Sequence, residues 1–143
     1  MTSLIRIATR EDFEVVNELV EALMKESVYS KLFKDYKLTH EMFSSYVTDF
    51  SQKILLLTVD DNNAVIGLSA FDILPWLYCD APIRIARLSY IYIKPEERGK
   101  GYGKEIMSAF EHWGKAVGAS YYSTAYKSDG YKKFETIYMK EIN

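Results

Sequence analysis

The chain has 143 residues, enough for one domain with a buried core. With 48% apolar and 27% charged residues and a net charge of −2, it is neither a disordered polymer nor a chain that charge alone would hold on nucleic acid. A single cysteine, Cys79, excludes an internal disulfide, and no apolar run is long enough to span a bilayer.

The elements follow in order. Leu4 to Ala8 is a short apolar strand. Thr9, with Asp12 three residues on, forms an approximate capping box for an amphipathic helix over 10–26, whose stripe is Phe13, Val16, Val20 and Leu23. Thr39 caps a second helix with Met42, Phe43, Tyr46, Val47 and Phe50 on its buried side. Ile54 to Val59 and Ala64 to Leu74 form a hairpin across the turn "DDNN". An aromatic loop, "PWLYCDAP" at 75–82, leads to a long strand over 83–94. After a glycine loop comes a helix marked by Ile106, Phe110, Trp113 and Val117. "SYYSTAY" at 120–126 is a strand, 128–135 allows one or two helical turns, and 136–142 is the closing strand. The order β-α-α-β-β-β-α-β-α-β predicts a single α/β (α+β) domain over 1–143 with a mixed sheet.

The most informative stretch is "PEERGKGYGKEI", residues 95–106, with Gly99, Gly101 and Gly103 alternating with other residues. Two phosphate motifs fail here. A Walker loop would need glycine at Arg98 and a hydroxyl at Glu105, and the dinucleotide fingerprint would need glycine at Ile106. A strand, a glycine turn and a helix start remain, and that geometry binds anions by itself. Glycine permits positive φ and lets a phosphate approach the backbone, while the first-turn amides have no intrahelical acceptor. Arg98, Lys100 and Lys104 add charge. A pyrophosphate fits this loop better than a merely solvated turn does.

"IYIKPEERGKGYGKEIMSAFEHW" resembles motif A of the GNAT superfamily of acetyl-CoA-dependent N-acetyltransferases. The core pattern [RQ]-x-x-G-x-[GA] is met by Arg98, Gly101 and Gly103, and the apolar strand Ile91-Tyr92-Ile93 and Pro95-Glu96 precede it. The element order agrees over nearly the whole chain. The resemblance implies the GNAT fold, a mixed sheet with splayed middle strands flanked by helices. It implies acetyl-CoA as co-substrate, with Arg98, Gly99, Lys100, Gly101, Tyr102 and Gly103 on the pyrophosphate. The backbone of Ile91, Tyr92 and Ile93 would pair with the pantetheine arm, and the Ile91 N–H would serve the oxyanion.

It further implies Tyr131, in "YKKFET", as general acid toward the departing thiolate; the alternative is a tyrosine that packs its ring. At the position where many members carry a basic glutamate stands Ser89, so the proton route falls to a water chain lined by Ser89 and Tyr90. Asp72 and Asp80 are alternative carboxylates, each read first as a solvated aspartate. The family's asparagine after motif A is absent, with Ser123, Thr124 and Ser128 in that region. His40, His112 and Cys79 do not form a metal site, and Cys79 lacks a nearby histidine for nucleophilic work.

The expected function is acetyl transfer from acetyl-CoA to an amine by direct attack in a ternary complex. The acceptor is a small molecule or a protein amino group, in a groove between 26–40, the 72–82 loop and the C-terminal tyrosines that suits a cationic amine. The alternative is a non-catalytic acyl-CoA-binding module of the same fold. No nucleic-acid or membrane partner is expected. The N-terminus "MTSLIRIATRED" lacks a leader pattern, which points to the cytoplasm. A homodimer is compatible with such a chain.

Overall fold

The computed structural model describes residues 4–26, 37–74, 83–125, 130–134 and 137–142. One seven-stranded sheet has the order β1-β2-β3-β4-β5-β7-β6. The strands are β1 (Leu4–Ile7), β2 (Lys53–Val59), β3 (Val65–Leu74), β4 (Ile85–Ile93), β5 (Tyr121–Thr124), β6 (Lys132–Phe134) and β7 (Ile137–Glu141). The helices are α1 (Phe13–Glu26), α2 (His40–Tyr46) and α3 (Tyr102–Ala116). All pairings are antiparallel except β4 with β5. The sheet is therefore mixed, as the element order predicts.

Each face of the sheet has its own core. On one face Phe71, Ala86 and Leu88 pack beneath Ile106, Phe110 and Trp113 of α3. On the other, Leu55, Leu57, Leu68 and Ala70 meet Val16 and Leu19 of α1 and Phe43 of α2. The helical spacing of those residues in the sequence buries a single stripe on each helix. Thr39 caps α2 as predicted, its hydroxyl accepting the Met42 N–H at 3.1 Å.

Two expectations differ. The second helix ends at Tyr46, so Phe50 falls beyond its stripe, and Met42 and Phe50 are exposed rather than buried. The described part of 128–135 is not helical: Gly130 turns with φ 77° and Lys132–Phe134 is a strand. β6 pairs with β7 over Lys132↔Met139 to Phe134↔Ile137, a short hairpin at the sheet's end. The ladder pairs the inner edge of β6 with β7, whereas one or two isolated helical turns would leave most of their backbone groups open.

Candidate active site

The site grows from an irregularity in β4. The β3–β4 register runs Ala70↔Tyr90 and then Phe71↔Leu88, so Ser89 is the extra residue of a β-bulge. The bulge flips the side-chain parity. Ala86 and Leu88 face α3 before it, and Ile91 and Ile93 do so after it. Ser89 and Tyr90 consequently fall on the α1/α2 side in succession. The parallel partner ends here too: β5 pairs with β4 from Ile85↔Tyr121 to Leu88↔Thr124 and no further. Beyond Leu88 one edge of β4 is open among the described residues.

Backbone alternation says which groups that edge offers. Lys94 donates its N–H to Ile66 O at 2.9 Å, toward β3. Tyr92, two residues back, turns the same way, and Ile91 and Ile93 turn outward. The Ile93 carbonyl indeed accepts from Arg98 Nε at 2.8 Å, away from β3.

The glycine loop continues from that edge. Gly99 and Gly101 have φ of 81° and 91°, and Gly101 caps α3. Only glycine takes that conformation without a clash between Cβ and carbonyl. A Cβ built on Gly99, Gly101 or Gly103 meets no atom within 4 Å, so the space over the loop is open. The loop, the 91–93 edge, Leu23 and Glu26 line a cavity of about 460 Å³. The α3 dipole points positive charge at it, from a helix start whose first-turn amides have no intrahelical acceptor. Arg98 lies 5.5 Å over the Tyr92 ring and pairs with Glu26 at 2.7 Å. Lys100 pairs with Glu97 at 2.8 Å. The Glu26 carboxylate raises the Arg98 guanidinium above its ordinary value, so it stays charged. An open glycine cradle, the amides of a helix start and two cations, one paired with the exposed Glu26 and one with the half-buried Glu97, suit a pyrophosphate, and the outward edge suits an extended amide-bearing arm.

A second cavity of about 430 Å³ lies between α1, α2 and the sheet, meeting the first at Leu23. Its floor includes Leu55, Leu68, Ala70 and Tyr90. Beside it, Asp72 follows Ala70 on the same face of β3. Asp72 is only 7% exposed, not solvated as its place at a strand end suggested. Arg87 grips it through Nε at 2.9 Å and Nη2 at 2.6 Å, and Ser89 Oγ donates to it at 2.7 Å. The fork geometry satisfies the carboxylate and the serine fastens the bulge to β3.

The predicted residues therefore divide. Ile91, Tyr92, Ile93, Arg98, Gly99, Gly101, Tyr102 and Gly103 line one cavity. Lys100 stands in the same loop, and Ser89 lies at the bulge beside it. Tyr131 is elsewhere, beneath α3 and beside Tyr122, whose strand position pairs with Ala86. It is 5% exposed and donates its hydroxyl to Glu111 Oε1 at 3.1 Å. Burial first, then the Glu111 charge, pushes its phenol well above the usual range. It lines neither cavity. Asp80, Cys79 and Ser128 lie outside the described residues, as do most of the 26–40 segment and residues 75–82 of the 72–82 loop. Sequence reasoning missed Glu26, 72 positions from its partner Arg98, and the Asp72–Arg87 pair across two strands. Neither pair leaves a local pattern in the chain.

Known proteins bear out the family. A model described as "Acetyltransferase (GNAT) family" matches residues 14–130. No curated protein matches the chain. Among solved structures, a GNAT family acetyltransferase from Staphylococcus aureus subsp. aureus USA300_TCH1516 is 23% identical, with 94% of each chain covered and a TM-score of 0.67. An acetyltransferase from Vibrio fischeri is 20% identical over 85% of this chain and 93% of its own, TM-score 0.67. The aminoglycoside 6'-N-acetyltransferase AAC(6')-Ih from Acinetobacter baumannii is 16% identical over 90% and 82%, TM-score 0.67. Among the described residues no helix is long and apolar enough to cross a membrane. With the family pattern matched over most of its length and its site built on the bulged strand and the glycine loop, the chain belongs to the GNAT acetyltransferase family and is an acyltransferase.

Proposed function

We propose that the protein moves the acetyl group of acetyl-CoA to an amine by direct attack, with both substrates bound at once. The observation that supports this is the meeting of two cavities at Leu23, beside the open edge of β4. Arg98, Lys100 and the loop amides from Gly99 to Gly103 hold the pyrophosphate, and the outward backbone groups of Ile91 and Ile93 hold the arm, with Tyr92 between them lining the cavity. The outward Ile91 N–H is placed to stabilise negative charge on the thioester oxygen, a contribution of about 3–4 kcal/mol for one good donor. An ammonium must lose its proton before attack, its pKa being near ~10. That proton leaves to bulk water along a water chain lined by Ser89 and Tyr90, the Ser89 oxygen accepting from the chain while its hydroxyl donates to Asp72. The departing thiolate, with a thiol pKa near ~8.5, needs only modest protonation help.

Free-thiol release on mixing acetyl-CoA with an amine panel tests the activity. Initial velocities should give intersecting lines, as both substrates must be present together. Parallel lines would replace direct attack with an acetyl-enzyme, and thiol release with no amine acetylated would overturn the acceptor class.

A further inference from the structure

The second cavity narrows the acceptor, an inference that rests on the proposed acetyl transfer to an amine. Its described lining contains no charged side chain; the polar side-chain atoms are the Tyr46 and Tyr90 hydroxyls and the Met24 and Met42 sulfurs. Val20 and Leu23 form one wall, Met42 and Tyr46 another, Ala70 and Tyr90 the floor. A group with several charges would lose its hydration there with nothing in return. An apolar body gains roughly 25 cal/mol for each Å² it removes from water. At about 430 Å³ the cavity sits at the small end of ligand pockets, the size for a ring and a short chain.

Polarity enters at one end. Tyr90 immediately precedes Ile91 of the open edge, and Ser89 and Asp72 follow on the same face. An occupant with an apolar body and one polar end matches that gradient; a polycation does not, and a plain hydrocarbon chain leaves the polar end unused. We infer that the acceptor is a monoamine with an apolar, arylalkyl-sized body, seated with its ring between α1 and α2 and its nitrogen beside Ser89.

The probes are 2-phenylethylamine, methylamine and the polycation kanamycin, each with acetyl-CoA, and hexanoyl-CoA as a rival donor. Binding of each amine to the protein–CoA complex is read by calorimetry, and transfer by thiol release. 2-Phenylethylamine should bind and react with Kd and KM at least tenfold below those of the other two amines. Met42→Lys, at a position 48% exposed and tolerant of a polar residue, should raise its KM tenfold or more and leave the KM for acetyl-CoA unchanged. Ala70→Val, which narrows the floor without adding charge, should do the same with its melting temperature checked alongside. Tight binding of 2-phenylethylamine with no thiol release from any of the three amines would overturn the proposed acetyl transfer and leave standing only the cavity's preference for an arylalkyl monoamine as ligand. Three results would overturn the inference: kanamycin binding as well as 2-phenylethylamine, no detectable amine binding at millimolar concentration, or hexanoyl-CoA binding tenfold tighter than acetyl-CoA with that gain lost in Met42→Lys.

Discussion

Gly101→Val against Gly118→Val isolates the glycine cradle from ordinary backbone strain. Both glycines have left-handed φ, 91° and 77°, and a Cβ on either meets no atom within 4 Å. Each valine must therefore pay the same kind of conformational cost, on the order of 1–3 kcal/mol. For a chain of this length that lowers Tm by roughly 4–10 °C. The two differ in place. Gly101 lines the cavity at the start of α3, whereas Gly118 lies just past its other end. Only Gly101→Val puts a branched side chain where the pyrophosphate is proposed to sit. Scanning calorimetry should find both variants destabilised by similar amounts. Titration calorimetry should find acetyl-CoA bound normally by Gly118→Val and at least tenfold more weakly by Gly101→Val, a loss of about 1.4 kcal/mol. Equal affinities in the two folded variants would refute the assignment of the loop to the pyrophosphate.

Acetyl-CoA at a hundredfold excess over Kd should add about 2.7 kcal/mol and raise Tm by several degrees, whereas NAD should leave it unchanged; the reverse pattern in a thermal-shift assay would overturn the choice of co-substrate. Asp12, bonded twice by Arg6, is held at a pKa of about 2, below its unfolded value of 3.8. Its depressed pKa adds stability that is present above about pH 4 and is lost as pH falls toward 2, so Asp12→Asn should flatten that part of the Tm-against-pH curve; an unchanged slope would refute the pairing. Tyr131→Phe decides between a packing ring and a proton donor: with the hydroxyl committed to Glu111, kcat should stay within about twofold while stability falls by about 1 kcal/mol, and a fall in kcat of tenfold or more would put the phenol into the chemistry. Gly67→Ala would place a Cβ 2.9 Å from the Tyr92 carbonyl and in collision with Ile93 Cδ1, so it should push β4 outward, cost about 1–3 kcal/mol and weaken acetyl-CoA binding; a variant as stable and as tight as the parent would show that β4 yields freely.

The sequence by itself determined what is local. Helical and alternating spacing marked α1, α2, α3 and the hairpin β2–β3 within a few residues, because each period is written in consecutive side chains. The glycine loop was legible for the same reason: its alternating glycines stand together in the chain, and Gly99 and Gly101 make the turn while Gly103 lies in the first turn of α3. Residues 130–134 were not legible, since "YKKF" has no period to separate a helical turn from a strand, and the choice fell to pairing with β7. Tertiary structure alone decided the rest of the site. The bulge at Ser89 exists only against β3, and it carries Ser89 and Tyr90 to one face and frees the edge at Ile91. Asp72 reads as a solvated strand end until Arg87 and Ser89 are brought to it across the β3–β4 ladder. Tyr131 has the right neighbours in sequence, yet its hydroxyl is set by Glu111, 20 residues away on α3. A residue's chemistry depends on burial and partners, and those are made by contacts between elements distant in the chain.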